Sequence, residues 1–454
     1  NWNTTILIAR QFCKNAFQQK AFYILWLLFV LLLVYAGYTG HQHMVAQNQM
    51  RQQYQHLVRK SWTGNPDKHP HRMAHFGSFA LRLKHPLSLF DFGMENFAGN
   101  AVFLEAHRQN TVNYSEASFS TGLLRMGEMS IAMLLQIILP LIIFFLGFGS
   151  IASDRENGTL KIINSQGGSN YFLLAGRSLG LWIISSLFFI PALLLGAVLL
   201  SYHSTDIASA RSAGRFAVIS LIYIVFFWVV SVISVIVSAT SNRSKSALMK
   251  LLGLWLLLAI ILPKIVPVVS NSIFPSPSKL RFETAIEKDI LKQGDSHNPD
   301  DPFYSKLKDS LLKKYNVDST HKLPFNYGGM VGKAGEQLSS ETYVKHQNNL
   351  LKLYRKQNGF SKMFAWIDPF VMIRNNSMAF AGSDFEAYCS FQQQAEAYRY
   401  ALAQRMNDLQ IQYVSNDRPK EGTHVLHIDK KHWDEFEDFH YEFLPVRKIF
   451  SNEW

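Results

Sequence analysis

Eight histidines crowd one stretch of the chain: His41, His43, His56, His69, His71, His75, His85 and His107. Met44, Met50, Met73 and Met94 lie among them. Imidazole nitrogens beside thioethers are a ligand set for copper, so a metal-handling role is one reading. The string HPHRMAHFG (69–77) favours scattered surface histidines instead, because its spacing does not repeat and Pro70 separates two of them. No metal site is assigned on this basis. A second string, GGMVGKA (328–334), approaches a phosphate-binding loop. That loop needs Gly where Tyr327 stands and Ser or Thr where Ala334 stands, so no ATPase site is expected. HExxH and a plausibly spaced catalytic carboxylate pair are missing too. Cys13 and Cys389 are too few for a disulfide framework or a four-thiolate zinc site. The chain reads as non-catalytic.

The elements that position these residues are mostly apolar. Of 454 residues, 48% are hydrophobic and 17% charged, against about 25% charged in a soluble domain. Fifteen Pro and 26 Gly exclude a disordered or collagen-like chain. A mean hydropathy near zero averages two unlike kinds of sequence. Four windows lack Asp, Glu, Lys and Arg altogether: Ala21–Met50, Met129–Ser153, Ser178–Thr205 and Phe216–Asn242. Within them lie AFYILWLLFVLLLVYAG (21–37), MLLQIILPLIIFFLGFG (133–149) and AVISLIYIVFFWVVSVISVIV (217–237). About 20 such residues at ~1.5 Å each cross a ~30 Å hydrocarbon layer, and soluble helices are rarely apolar all round for so long. A fifth segment, Leu251–Val269, is interrupted by Lys264, expected to snorkel to the interface. Pro140, Pro191 and Gly196 are candidate kinks or tolerated packing features. The expectation is a mainly α, polytopic membrane protein with five spans, a sixth following beyond residue 454, and two outer domains.

The boundaries follow from charge. Residues 1–20 form a basic arm with Ile6, Ile8, Phe12 and Phe17 between Arg10, Lys14 and Lys20, the pattern of an amphipathic helix on a membrane face. Residues 21–40 form a first span that reads as an anchor rather than a cleaved signal. Residues 127–269 hold spans two to five and a polar loop, 152–170. The arm carries three cations and no acid, and SNRSKSALMK (241–250) carries Arg243, Lys245 and Lys250 with no acid. Both therefore lie inside, with a cytoplasmic N-terminus, and 41–126 and 270–454 lie outside. From residue 270 onward 24 cations balance 24 acids, and 41–126 holds 9 against 5, so +8 of the net +12 gathers mostly beside the spans. That charge fits anionic headgroups of membrane lipids, and no nucleic-acid partner is expected. The second outer domain reads as largely helical, over Leu280–Tyr315, Ser339–Met363 and Asp384–Val414. Phe385, Tyr388, Phe391, Ala395, Tyr398 and Leu402 form a packing stripe, with Cys389 as a buried small apolar group. The strings at 324–336 and 412–424 read as turn-rich connectors.

One loop stands out. GFGSIASDRENGTLKIINSQGGSNYFLLAGRSLG (147–180) places Asp154, Arg155, Glu156, Gly158, Thr159 and Leu160 in a string followed by Leu-Ala-Gly-Arg-Ser. Asp154 and Glu156 are suited to a helix N-terminus, and Leu160, Ile162 and Ile163 to an apolar knob for a partner's groove. This string resembles the coupling loop of type-2 ABC transporter permeases, in which a similar E-x-G-T-L segment leads into a short helix that docks on the ATPase. The order of arm, span, large insert, coupling loop, three spans and second insert is similar to that family over much of the chain. HPHRMAHFGSFALRLKHPLSLFDFG (69–93) and FAGNAVFLEAHRQN (97–110) resemble a bacterial subgroup with large extracytoplasmic inserts. The resemblance implies a permease subunit of the bacterial inner membrane, working in export or mechanical transmission. Its implied partners are two copies of an ABC ATPase subunit, which carries ATP and Mg, and a second permease subunit, identical or homologous. No cofactor is implied in this chain. A membrane-anchored receptor or assembly scaffold, or a copper-handling protein, are the competing readings.

Overall fold

The computed structural model describes residues 2–95, 97–110, 129–166, 168–203, 206–295, 298, 301–416 and 427–453. Residues 111–126 of the first outer segment, Gly167 of the polar loop and most of the connector at 412–424 lie outside the described residues. Five helical runs are long and apolar enough to cross a membrane: span 1, Lys20–Thr63; span 2, Ile131–Glu156; span 3, Asn170–His203; span 4, Arg211–Ala239; and span 5, Ser244–Ile273. The chain is therefore a mainly α, multi-pass membrane protein. One end of the bundle carries the basic arm, and the other carries the two long polar segments.

Span 1 is much longer than a bilayer requires. Its 44 residues reach roughly 66 Å at ~1.5 Å per residue, twice a hydrocarbon layer. The His- and Gln-rich second half therefore continues as a helical stalk instead of opening a separate domain at residue 41. Trp62 at its tip donates from Nε1 to the Trp433 carbonyl at 2.8 Å, and Arg59 donates to the Phe436 carbonyl at 2.6 Å.

The two polar segments fold together. An antiparallel hairpin, β1 (Ser78–Leu81) and β2 (Ala101–Leu104), pairs Ser78 with Leu104 and Leu81 with Ala101. Ala80, Val102 and Leu104 of the hairpin pack with Phe391, Ala395, Phe439 and Tyr441. A neighbouring core joins Trp62, Met73, Ala74 and Ala106 to Leu402, Met406 and Trp433. The aromatic stripe is thus packing surface, and Cys389 is 1% exposed. This far body is also rooted in the bundle: Leu87, Phe90, Phe370, Ile373 and Phe380 belong to the same core as Phe188, Phe227 and Val230.

The Gly-rich string expected to be a connector is helical from its second third onward, as part of Tyr327–Phe364. Its glycines serve approach rather than turning. A Cβ on Gly329 would stand 2.8 Å from Ile411 Cγ1, and one on Gly332 would stand 2.9 Å from Asn407 Oδ1. The helix Phe385–Tyr413 lies too close for larger side chains.

Spans 2 and 5 each contain one wide π turn, Leu134–Ile138 and Leu256–Ile261, directly before Leu139–Pro140 and Leu262–Pro263. Proline removes an N–H and crowds the preceding turn, so widening the helix relieves both. Trp255 donates from Nε1 to the Ile137 carbonyl at 3.0 Å, which ties the two wide turns together. Span 4 meets span 2 through small groups: Ser231, Ser234 and Ser238 are fully buried, and a Cβ on Gly147 would lie 2.3 Å from Ser234 Oγ.

Candidate functional site

The arm helix Trp2–Phe17 docks on span 3 through Thr5, Ala9, Phe12 and Ala16. Phe12 shares this face with small residues, while Trp2, Ile6 and Leu7 are left exposed. Close approach needs glycine opposite: a Cβ on Gly176 would be 2.6 Å from Ile8 Cβ, and one on Gly180 3.0 Å from the Ala9 carbonyl. GRSLG (176–180) has the letters of a hydrolase nucleophile elbow. It lies inside one continuous helix with Ser178 buried, without the strand-turn-helix such an elbow requires. Gly176→Leu is expected to pry the arm from span 3, because overpacking of this kind costs about 1–3 kcal/mol. Cys13, half-buried with its thiol toward the Gly180 carbonyl at 3.5 Å, then labels several-fold faster with a maleimide in a Cys389→Ala background. Unchanged labelling would show that the arm is not held there.

Beside the arm, span 2 breaks at 148–151 and is re-anchored by one hydroxyl. Ser238 Oγ accepts from the Ile151 and Ala152 N–H groups, each at 3.0 Å, and donates to the Phe148 carbonyl at 2.7 Å. A five-residue helix, Ala152–Glu156, follows. Its three charged residues reach three different spans. Asp154 Oδ2 meets Arg177 Nη2 of span 3 at 2.9 Å. Arg155 donates to the Ser241 carbonyl at the end of span 4. Glu156 accepts from the Ser244 N–H at 3.1 Å, at the first residue of span 5. Arg177 also lies over the Phe12 ring, 5.6 Å from its centroid, so one guanidinium joins arm, span 3 and loop.

Gly158 then turns the chain with φ +79°, a conformation other residues adopt at a cost. The helix Thr159–Ser165 projects from this corner with none of its residues buried. Asp154 and Glu156 do not cap it, since Gly158 occupies its N-cap and offers no side chain. Thr159 is exposed, Leu160 is half-buried against the bundle core, and Ile163 is half-buried. A Cβ on Gly168 would lie 2.6 Å from Ile163 Cγ2. Ile162 is 58% exposed and is the outward apolar group of the three. Arg177 and the serines at 238, 241 and 244 are the partners that local pattern did not single out. The unusually serine-rich run around SNRSKS (241–246) was the available signal.

At the opposite end, the turn around residues 86–95 returns into the bundle. Phe90 accepts from the Ala132 N–H at 2.9 Å, and Asp91 Oδ2 lies 3.4 Å from Gln136 Nε2. Gln136 also donates to Tyr223 at 2.8 Å, and Tyr223 lies 3.1 Å from Ser377 Oγ. A carboxyl thus reaches the bundle core from outside the span sequences themselves. Nearby, a cavity of about 450 Å³ lies between the span 1 stalk and the hairpin, lined by Met50, Tyr54, Phe79 and Leu81 with Arg51 and Arg82.

The histidines divide into several uses. His69 and His85 are N-caps, accepting from the His71 and Leu87 N–H groups. His41 pairs with His203 at 3.0 Å. His71, His75 and His107 form a cluster, described below. Of the methionines among them, Met44 is 4% exposed and Met73 is fully buried.

Residues 279–442 match a family model described as a domain of unknown function (DUF3526). The match covers the second polar segment. No curated protein and no solved structure matches the chain.

Proposed function

We propose that this chain is the permease subunit of an ATP-driven ABC transporter, with the arm end of the bundle facing the cytoplasm of a bacterial cell. The observation that carries the reading is the helix Thr159–Ser165, with none of its residues fully buried, yet clipped at its base to spans 3, 4 and 5. Such a lever suits an external motor. Ile162 enters an apolar groove of a separate ATPase, and displacement of the lever pulls on three spans at once. Arg177 carries the same motion to the arm. ATP and Mg reside on that ATPase, present in two copies. A second permease, identical or homologous, completes the assembly, and span 5 offers it a flank. Only 11% of its most apolar window is buried, and Leu256, Leu257, Ile261 and Ile265 are exposed. Substrate export or mechanical transmission to the far body follows from the shared core between bundle and far body.

The test is purification of the intact chain in mild detergent from its native cells, followed by identification of co-eluting ABC ATPases. Co-elution of ATPase and permease in equal amounts, with ATPase activity raised over the isolated ATPase, is expected. Elution without any ATPase would overturn the reading in favour of a receptor or scaffold.

A further inference from the structure

We propose that His71, His75 and His107 form a binding site for a zinc-class divalent cation on the far body. The assignment rests on geometry. One ring nitrogen from each of the three residues lies within 4.8 Å of the others. Ring centroids are 4.7 Å apart for His71 and His75, and 5.4 Å for each of them to His107. His71 and His75 stand one turn apart on the helix Pro70–Phe76, which puts both rings on one face. That helix is fixed by its Pro70 start, by the His69 cap, and by Met73 and Ala74 buried beneath it.

His107 arrives from the end of β2, and its placement is the unusual feature. It adopts φ +62°, a region costly for a residue with a Cβ. The Ala106 N–H donates to the Ala74 carbonyl at 3.2 Å, which ties this turn to the histidine helix. One carboxylate oxygen then holds His107 twice. Glu336 Oε2 accepts from the His107 backbone N–H at 3.0 Å and lies 3.2 Å from its Nδ1. With Nδ1 turned to this carboxylate, Nε2 is the nitrogen left for a metal. Glu336 is fully buried and is itself held by Arg399 at 2.6 Å. A carboxylate behind a ligating histidine fixes the tautomer and raises the basicity of the ring. Here that support is built from strand, turn and two long helices, around residues 229 positions apart.

Three imidazoles with no thiolate suit Zn²⁺ and its borderline neighbours, and neither Ca²⁺ nor Mg²⁺, which take oxygen ligands. The thioether of Met73 is sealed in the Trp62 core, so the soft ligand that Cu(I) prefers does not join. His75 and His107 are partly exposed. Modest ring rotation closes the set to the ~2.0–2.1 Å zinc–nitrogen distance and leaves a fourth position for water or an external ligand.

The test uses the full-length, tag-free chain in detergent, stripped with EDTA and titrated with Zn²⁺ against a chromophoric chelator. One site per chain is expected beyond those of a His71→Gln/His75→Gln/His107→Gln variant, and Co²⁺ should give tetrahedral absorption bands only with the wild type. Glu336→Gln should weaken binding roughly 10- to 100-fold, while His41→Gln leaves it unchanged. Zn²⁺ should raise the melting temperature of the wild type and not of the triple variant, whose metal-free melting temperature reports its folding. Equal zinc uptake by wild type and triple variant would overturn the site.

Discussion

Arg399→Leu is expected to destabilise the far body by about 3–5 kcal/mol, the cost of leaving a buried charge without its partner. The guanidinium is 2% exposed, and it meets Glu336, 0% exposed, at 2.6 Å and Glu396 at 2.7 Å. It also donates to the Glu105 carbonyl at 3.2 Å, which binds β2 to the long helices. At ~2–4 °C per kcal/mol for a body of this size, melting should fall by roughly 6–20 °C. Adding Glu336→Leu should restore part of the loss, because the orphaned carboxylate is then gone. The pH dependence has a definite sign. Burial alone would raise the Glu336 carboxyl, but hydrogen bonding from His107 and the charge of Arg399 hold it at about 2, against a usual 4.5. Its contribution is therefore complete above about pH 4.5 and is lost as pH falls toward 2. A melting profile over that window should be steep in the wild type and flatter in Arg399→Leu. A fall of only a degree or two, or parallel profiles, would mean the pair is not what holds the segments together.

The spans were legible because apolarity accumulates along neighbouring residues: each of the four charge-free windows falls largely inside one of the helical runs. The packing stripe of Phe391, Ala395 and Leu402 was legible for the same local reason. What escaped depends on partners distant in sequence. Gly328–Gly335 carries the residues of a turn, yet Gly329 is glycine because Ile411 approaches it. Span 1 ends at Thr63 rather than near residue 40 because its polar half is held by Trp433 and Phe436. The arm's buried face was hidden by glycines of span 3, which remove the need for large side chains on Thr5 and Ala9.

The same distinction divides the two candidate sites. For the loop, residue types were readable and their partners were not. Asp154 does sit in the first turn of a helix, Ala152–Glu156, but its partner Arg177 and the Ser244 partner of Glu156 lie 23 and 88 positions away. For the histidines, HPHRMAHFG lacks a regular spacing because its third ring comes from His107, and the carboxylate behind it from Glu336. No window of the chain short enough to hold a motif contains that set.

Within the loop, binding and transmission should separate under mutation. Ile162 is the exposed apolar tip, so Ile162→Asp puts a charge into the partner's groove. Losing a central apolar anchor costs about 2–4 kcal/mol, which is roughly 30- to 900-fold in ATPase affinity. Glu156 and Leu160 face the other way: one accepts from the first N–H of span 5 and the other rests on the bundle core. A Glu156→Ala/Leu160→Ala variant should therefore still bind the ATPase within a few-fold of wild type while losing most of its ATPase stimulation. Both variants should insert in the membrane, and Ile162→Asp should melt as the wild type does, since Ile162 is 58% exposed. Affinity from surface-immobilised permease and stimulated ATP turnover, measured on the same preparations, separate the two effects. If both variants bind and stimulate as the wild type does, the lever is not Thr159–Ser165, and the motor grips the chain elsewhere.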